Sequence, residues 1–209
     1  MSNRRLFIHS AALAGAAAVL ISGGVVAQAA FTKVPAEVQA GTYKLDSSHG
    51  KITWSLNHLG FSTYTGQFTG VTADLTIDPA NPSAATLTAT VPISGLDDTS
   101  PGLKTHLQTP DFFDAAQFPT ATFVAKTITV DSDDATEADV VGDLTLHGVT
   151  KPVTLEVKFN QAGAMRGAYR LGFDGETTIK RSEFGMTYGL PAIGDEVELH
   201  IEGEFVKQP

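Results

Sequence analysis

Apolar residues recur at every second position through nearly the whole of residues 42–207, and that period of two constrains the fold more than any other feature. Ile52, Trp54, Leu56 and His58 share one face, with Lys51, Thr53, Ser55 and Asn57 on the other. Phe68 starts a further strand, and Val71, Ala73, Leu75 and Ile77 continue one face after a bulge expected near Gly70; Leu87, Ala89, Val91 and Ile93 form the next face. Ala121, Phe123 and Ala125 alternate, and Ile128 and Val130 resume after a change of phase. Val140, Gly142, Leu144 and Leu146 follow, then Val153, Leu155, Val157 and Phe159, then Tyr169, Leu171 and Phe173. The last run sets Val197, Leu199, Ile201, Gly203 and Phe205 against Glu196, Glu198, His200, Glu202 and Glu204.

Strands of this kind have one dry face and one wet face. No sustained helical pattern is present to cover the dry face. The sheet must therefore pack on another sheet or close on itself, and closure also removes exposed edges. The expectation is an all-β fold, a closed antiparallel β-barrel of about eight strands. An interior of that size is either filled by side chains or holds one small ligand. The small inward residues Ala73, Ala89, Gly142 and Gly203 suit a cavity and suit tight barrel corners equally.

One stretch breaks the pattern. Residues 96–119 lack the period of two, and Leu103, His106 and Leu107 have helical spacing that ends at Thr109-Pro110. A short helical crossover is expected there, followed by the crowded Phe112, Phe113 and Phe118. These rings serve equally as a plug at one barrel end or as a lid against a ligand.

The first 29 residues read differently. Arg4 and Arg5 precede an apolar run from Ala11 to Ala27, and Ala27-Gln28-Ala29 fits small-x-small cleavage. Residues 1–29 are expected to be a cleavable signal peptide, which directs the rest to the periplasm. Asn3-Arg4-Arg5-Leu6-Phe7-Ile8 fits a twin-arginine signal as well as an ordinary secretory one. Residues 30–41 then read as a flexible lead-in, and residues 42–207 as one domain. Removing the signal takes two arginines and no acid from a chain of formal charge −9, which leaves −11. Such a surface argues against nucleic acid as a partner and against anionic membranes. Once the signal is gone, no stable membrane insertion is expected. The chain has no cysteine, so disulfides, thiol catalysis and thiolate metal sites are excluded.

Chemistry-bearing patterns are sparse. His49, His58, His106, His147 and His200 show neither strand nor helix metal-ligand spacing, so no metal is expected. No nucleophile elbow, phosphate loop or recognisable carboxylate pair appears, so no catalytic residue and no cofactor is assigned. His58 shares its face with Trp54, where it either completes the core or meets a ligand head group. Arg181 either pairs with an acid such as Asp46 or Asp195 or meets an anionic head group.

Several segments resemble the YceI-like family in order along the chain. They are Tyr43-Lys44-Leu45-Asp46-Ser47-Ser48-His49, His58-Leu59-Gly60-Phe61-Ser62 and Gly66-Gln67-Phe68. Further on come His106-Leu107, Pro110-Asp111-Phe112-Phe113-Asp114, Phe118-Pro119-Thr120-Ala121-Thr122-Phe123 and residues 142–152. Arg181-Ser182-Glu183-Phe184-Gly185-Met186 and Gly194-Asp195-Glu196-Val197 complete the set. Gly50 departs from the pattern, where the family often carries Ser or Thr. The resemblance implies a lipocalin-like barrel with a long apolar pocket for polyisoprenoid or other long-chain amphiphiles. On that basis the chain is expected to carry such a molecule in the periplasm. The ligand-binding residues expected are Trp54, Leu56, His58, Phe61, Phe68, Leu107, Phe112, Phe113, Phe118, Phe123, Leu144, Leu146, Arg181, Phe184 and Met186. A stress or protein-interaction barrel without lipid is the alternative, and a small-lipid enzyme ranks behind both. Pairing into a homodimer is compatible with the sequence, although no feature marks it.

Overall fold

The computed structural model describes residues 31–97 and 100–209. The signal peptide expected over residues 1–29 lies outside them. Among the described residues twelve strands are formed: β1 (Phe31–Thr32), β2 (Gly41–Leu45), β3 (Lys51–His58), β4 (Ser62–Phe68), β5 (Thr72–Ile77), β6 (Thr86–Pro92), β7 (Leu96–Asp97), β8 (Thr120–Val130), β9 (Glu137–Leu146), β10 (Val149–Met165), β11 (Ala168–Lys180) and β12 (Glu196–Lys207). A single α-helix, α1 (Pro101–Leu107), interrupts them among the described residues.

Several short strands are parts of one stave. β3 pairs with β4 and β2 with β5, so two continuous staves are each broken once, at residues 46–50 and 69–71. At the first break the Asp46 carboxylate accepts from the Ser48 backbone N–H and hydroxyl, a local turn that competes with strand pairing. At the second, in place of the bulge expected within one strand, the strand ends at Phe68 and resumes at Thr72, and Gly70 takes φ 71° between them. β6 with β7 makes the third stave, and β8 to β12 make five more. All neighbours are antiparallel, and β12 closes the ring by pairing with β11 on one edge and with both β2 and β3 on the other. The result is the closed eight-stave barrel that the alternation requires. The phase change after Ala125 is a bulge between Ala125 and Thr127, opposite Gly142 and Val141.

Helix α1 starts where its chemistry allows. Ser100 caps it by accepting from the Leu103 N–H, and Pro101 occupies the first turn, where a missing N–H costs nothing.

The lead-in expected to be flexible is tied to the barrel. Phe31 and Thr32 pair with Gly163 and Ala162 of β10, and Val38 is buried beside Tyr43, Phe159 and Leu171. The Tyr43 hydroxyl donates to the Gln39 carbonyl, and burial pushes the Tyr43 pKa up to about 12. Residues 33–40 thereby cross from β10 to β2 as a strap at one end of the barrel.

Candidate functional site

The two ends of the lumen differ. At one end lie the β3–β4 turn, residues 93–97 and 100–119, the β9–β10 turn and residues 181–195. These are tied together by a His58–Ile193 bridge and by the Phe184 carbonyl accepting from His147 Nδ1 at 2.9 Å. Their side chains fill this end. Trp54, Phe68, Ile93, Leu96, Leu107, Phe112, Leu146, Ile179, Phe184 and Met186 form one buried cluster, with Leu56 and Phe113 packed against it. The packing is tight at Gly66, where an added Cβ would come within 2.3 Å of the Trp54 ring.

Arg181 locks the closed end. It is 4% exposed and donates from Nε to the Gly194 carbonyl, from Nη1 to those of Met186 and Tyr188, and from Nη2 to that of Ile193, all at 2.8–2.9 Å. Burial lowers its pKa, opposed by the nearby Asp195 charge. Asp195 in turn accepts from the backbone N–H and hydroxyl of Ser182 at 2.8 Å. Burial works against the Asp195 charge, but those two bonds with Arg181 and Lys180 outweigh it, and its pKa is lowered. The carboxylate of Asp46 belongs to a different residue, Arg170, whose Nη1 lies 2.9 Å away. Hydrogen bonds from Ser48, then Arg170 and His49, hold the Asp46 carboxyl well below the usual carboxylate range.

The other end is open. A cavity of about 380 Å³ occupies the lumen there. Its walls are the inward residues of the staves, among them Ala73, Leu75, Ile77, Leu87, Ala89, Val91, Ile128, Val140, Leu155, Val157, Phe173, Ile201 and Gly203. Its mouth lies between the strap at Pro35, Ala36 and Val38, the β5–β6 turn at Pro79, Pro82 and Ala85, and the β8–β9 turn at Ala135 and Thr136. The few charged residues in its lining are Lys51, Glu137, Asp174 and Glu202, and Lys51 is paired with Glu202 at 2.7 Å. A concave, apolar space with few polar groups suits an apolar ligand held by area burial, not by directed bonds. Among the described residues, no group of three His, Asp or Glu side chains is placed to hold a metal ion.

Of the fifteen residues expected to bind ligand, Phe123 and Leu144 line this cavity. Trp54, Phe68, Leu107, Phe112, Leu146, Phe184 and Met186 stand in the closed-end cluster, with Leu56 and Phe113 against it. His58 lies beside the Tyr64 ring, with centroids 5.8 Å apart. Phe118 rests on His147, with centroids 4.9 Å apart. Phe61 sits at the β3–β4 tip and is 90% exposed, away from the lumen. Arg181 meets main-chain carbonyls in place of an acid or a head group. Residues passed over as ligand contacts, chiefly small or β-branched, make most of the cavity wall. Of the small residues, Ala73, Ala89 and Gly203 do line it, whereas Gly142 is covered by the Phe123 ring.

An eight-stave antiparallel barrel, closed at one end and hollow at the other, defines the class of this protein. The YceI-like domain model matches residues 43–205, and the chain belongs to the YceI-like family. It is 37% identical over 172 residues to the protein YceI of Salmonella arizonae, covering 81% of this chain and 88% of that one. Among solved structures it is similar to BcnA of Burkholderia cenocepacia, with TM-score 0.67 and 26% identity over 77% of this chain and 98% of that chain. It also shares its fold with a polyisoprenoid binding domain from Saccharophagus degradans implicated in plant cell wall breakdown. That match has a TM-score of 0.61 at 13% identity and covers 81% of this chain and all of the other.

Proposed function

We propose that this protein is a periplasmic carrier that holds the apolar tail of an amphiphile, foremost an isoprenoid chain, in the open half of its barrel. The observation that carries this reading is the cavity: an apolar hollow in a barrel whose other end is packed solid. Burying apolar surface stabilises by ~25 cal/mol per Å², so a tail in this space needs no directed polar contact. The polyisoprenoid binding described for the Saccharophagus degradans domain supports the same ligand class. The export signal read in residues 1–29 supports the compartment. The reading is of a binding protein.

The test is native mass spectrometry of the mature protein from its own cell envelope, with lipid analysis of the organic extract. One prenyl or long-chain lipid per chain is the expected result. An unliganded mass that stays unchanged on incubation with prenyl alcohols and quinones would overturn the reading in favour of a barrel without lipid. A mature mass beginning at Ala30 in the periplasmic fraction is expected, and retention of residues 1–29 would refute the export reading.

A further inference from the structure

The cavity has a floor, and its position sets how much tail it can take. Two buried clusters occupy the barrel. One fills the closed end, and the other gathers Val38, Tyr43, Phe159, Leu171 and Phe205 near the mouth. Phe123 belongs to neither, yet it is 8% exposed and lines the cavity. Its ring reaches across to β9, so close that a Cβ on Gly142 would stand 2.4 Å from Phe123 Cζ. Glycine at 142 is what lets this ring lie there. Leu144 and Leu199 line the cavity and also pack against the closed-end cluster, so the packed end begins where they stand.

Resting on the carrier reading above, we infer that Phe123 is the residue that fixes tail length, and that the site takes a short tail of about three isoprene units. Ala138 at the rim and Leu144 beside Phe123 lie six residues apart on β9, which carries no bulge between them. At about 3.3 Å per residue and a strand tilt of about 40°, the rim stands roughly 15 Å above the floor. A carbon chain with bonds of about 1.5 Å advances about 1.25 Å per bond when extended. About twelve chain carbons fit, which is three isoprene units, and any further length must leave through the mouth.

The residues opposite Phe123 offer a way to move the floor in both directions. Ala89 pairs directly with Phe123 and lines the same space. Phe123→Ala removes a phenyl ring, which makes room for about one more unit. Ala89→Phe adds one and raises the floor.

The experiment measures the affinity of all-trans prenyl alcohols of increasing length, by displacement of a fluorescent alkyl probe. For the unaltered protein, affinity should rise about tenfold or more per unit up to three units and change less than about twofold beyond. The break should move to four units in Phe123→Ala and to two in Ala89→Phe. Phe123→Leu takes the place of the alanine variant if the latter does not fold. An affinity that keeps climbing past five units, or a break that stays put in the variants, overturns the length assignment and leaves the carrier reading standing. Failure of every probe at every length would overturn the carrier reading, and this inference with it.

Discussion

Around Trp54, Phe112 and Phe184 the lumen is filled with rings and large aliphatic groups, whereas around Ala73, Ala89 and Val157 the same barrel is hollow. Both halves come from one set of alternating strands. The difference lies in side-chain volume and in what caps each end. The closed end is sealed by residues 93–97, 100–119 and 181–195, which deliver rings and the Arg181 anchor. The open end has short turns and one strap, which bring Pro35, Ala36, Pro79, Pro82 and Ala135 to the mouth. Binding capacity therefore lies in one half of the sheet, while the larger packed cluster and the Arg181 anchor lie in the other, with a second buried cluster under the strap.

That separation can be broken by substitutions chosen in matched positions. The largest effect is expected from Arg181→Met, which leaves four main-chain carbonyls without their donor. A loss of about 4 kcal/mol or more is expected in urea unfolding, with tail uptake per folded molecule unchanged. Next, Leu146→Ala in the filled end should cost about 3 kcal/mol. Leu87→Ala on the cavity wall should cost about 1 kcal/mol, because it enlarges a space that is already empty. Equal losses at the two sites would erase the contrast.

Tryptophan insertions sharpen it from the other side. Leu56→Trp overpacks the closed end and is expected to cost about 2 kcal/mol with little effect on uptake. Leu144→Trp grows into the cavity, so uptake should fall about tenfold or more with under 1 kcal/mol of destabilisation. Isothermal displacement and urea curves on the same samples separate the two quantities.

The smallest effect is acid sensitivity of the closed end. Folding lowers the pKa of Asp195 from its unfolded value near 4, so its contribution is present at neutral pH and is lost as the pH falls through and below that value. Asp46 at the barrel wall acts in the same direction. The urea midpoint should be flat from pH 8 to 5 and fall below about pH 4, and Asp195→Asn should flatten part of that fall. An unchanged slope in Asp195→Asn would remove the Ser182–Asp195 bonds from the account of the closed end.

Much of this architecture can be read from the residues alone. The inward faces, the site of an irregularity near Gly70, the phase change after Ala125 and the helix ending before Thr109 all follow from periodicity and turn chemistry. What periodicity cannot reveal is which part of an inward face meets a partner and which meets empty space. Val140 and Leu146 share one inward face, yet Val140 lines the cavity and Leu146 the packed cluster. Aromatic residues draw attention as ligand contacts, but large rings fill volume, and most of them stand where the barrel is full. The better signal for the hollow is the run of small and β-branched inward residues, such as Ala73, Ala89, Val157 and Gly203. Arg181 stands out in the sequence as a charge in need of a partner, but its acceptors are carbonyls of residues 186–194, which no side-chain pattern announces. The anchoring of residues 31–40 likewise depends on main-chain pairing with a strand over 120 residues away.

The central claim is that an apolar tail lies in the open half and stops at Phe123. A crystal structure of the protein loaded with a prenyl or alkyl chain carrying a terminal bromine tests it most directly. The account predicts one anomalous peak per chain inside the lumen, between Ala89, Leu144 and Phe123. A peak beyond Phe123 among the closed-end side chains, or bromine only on the outer surface of the barrel, would contradict it.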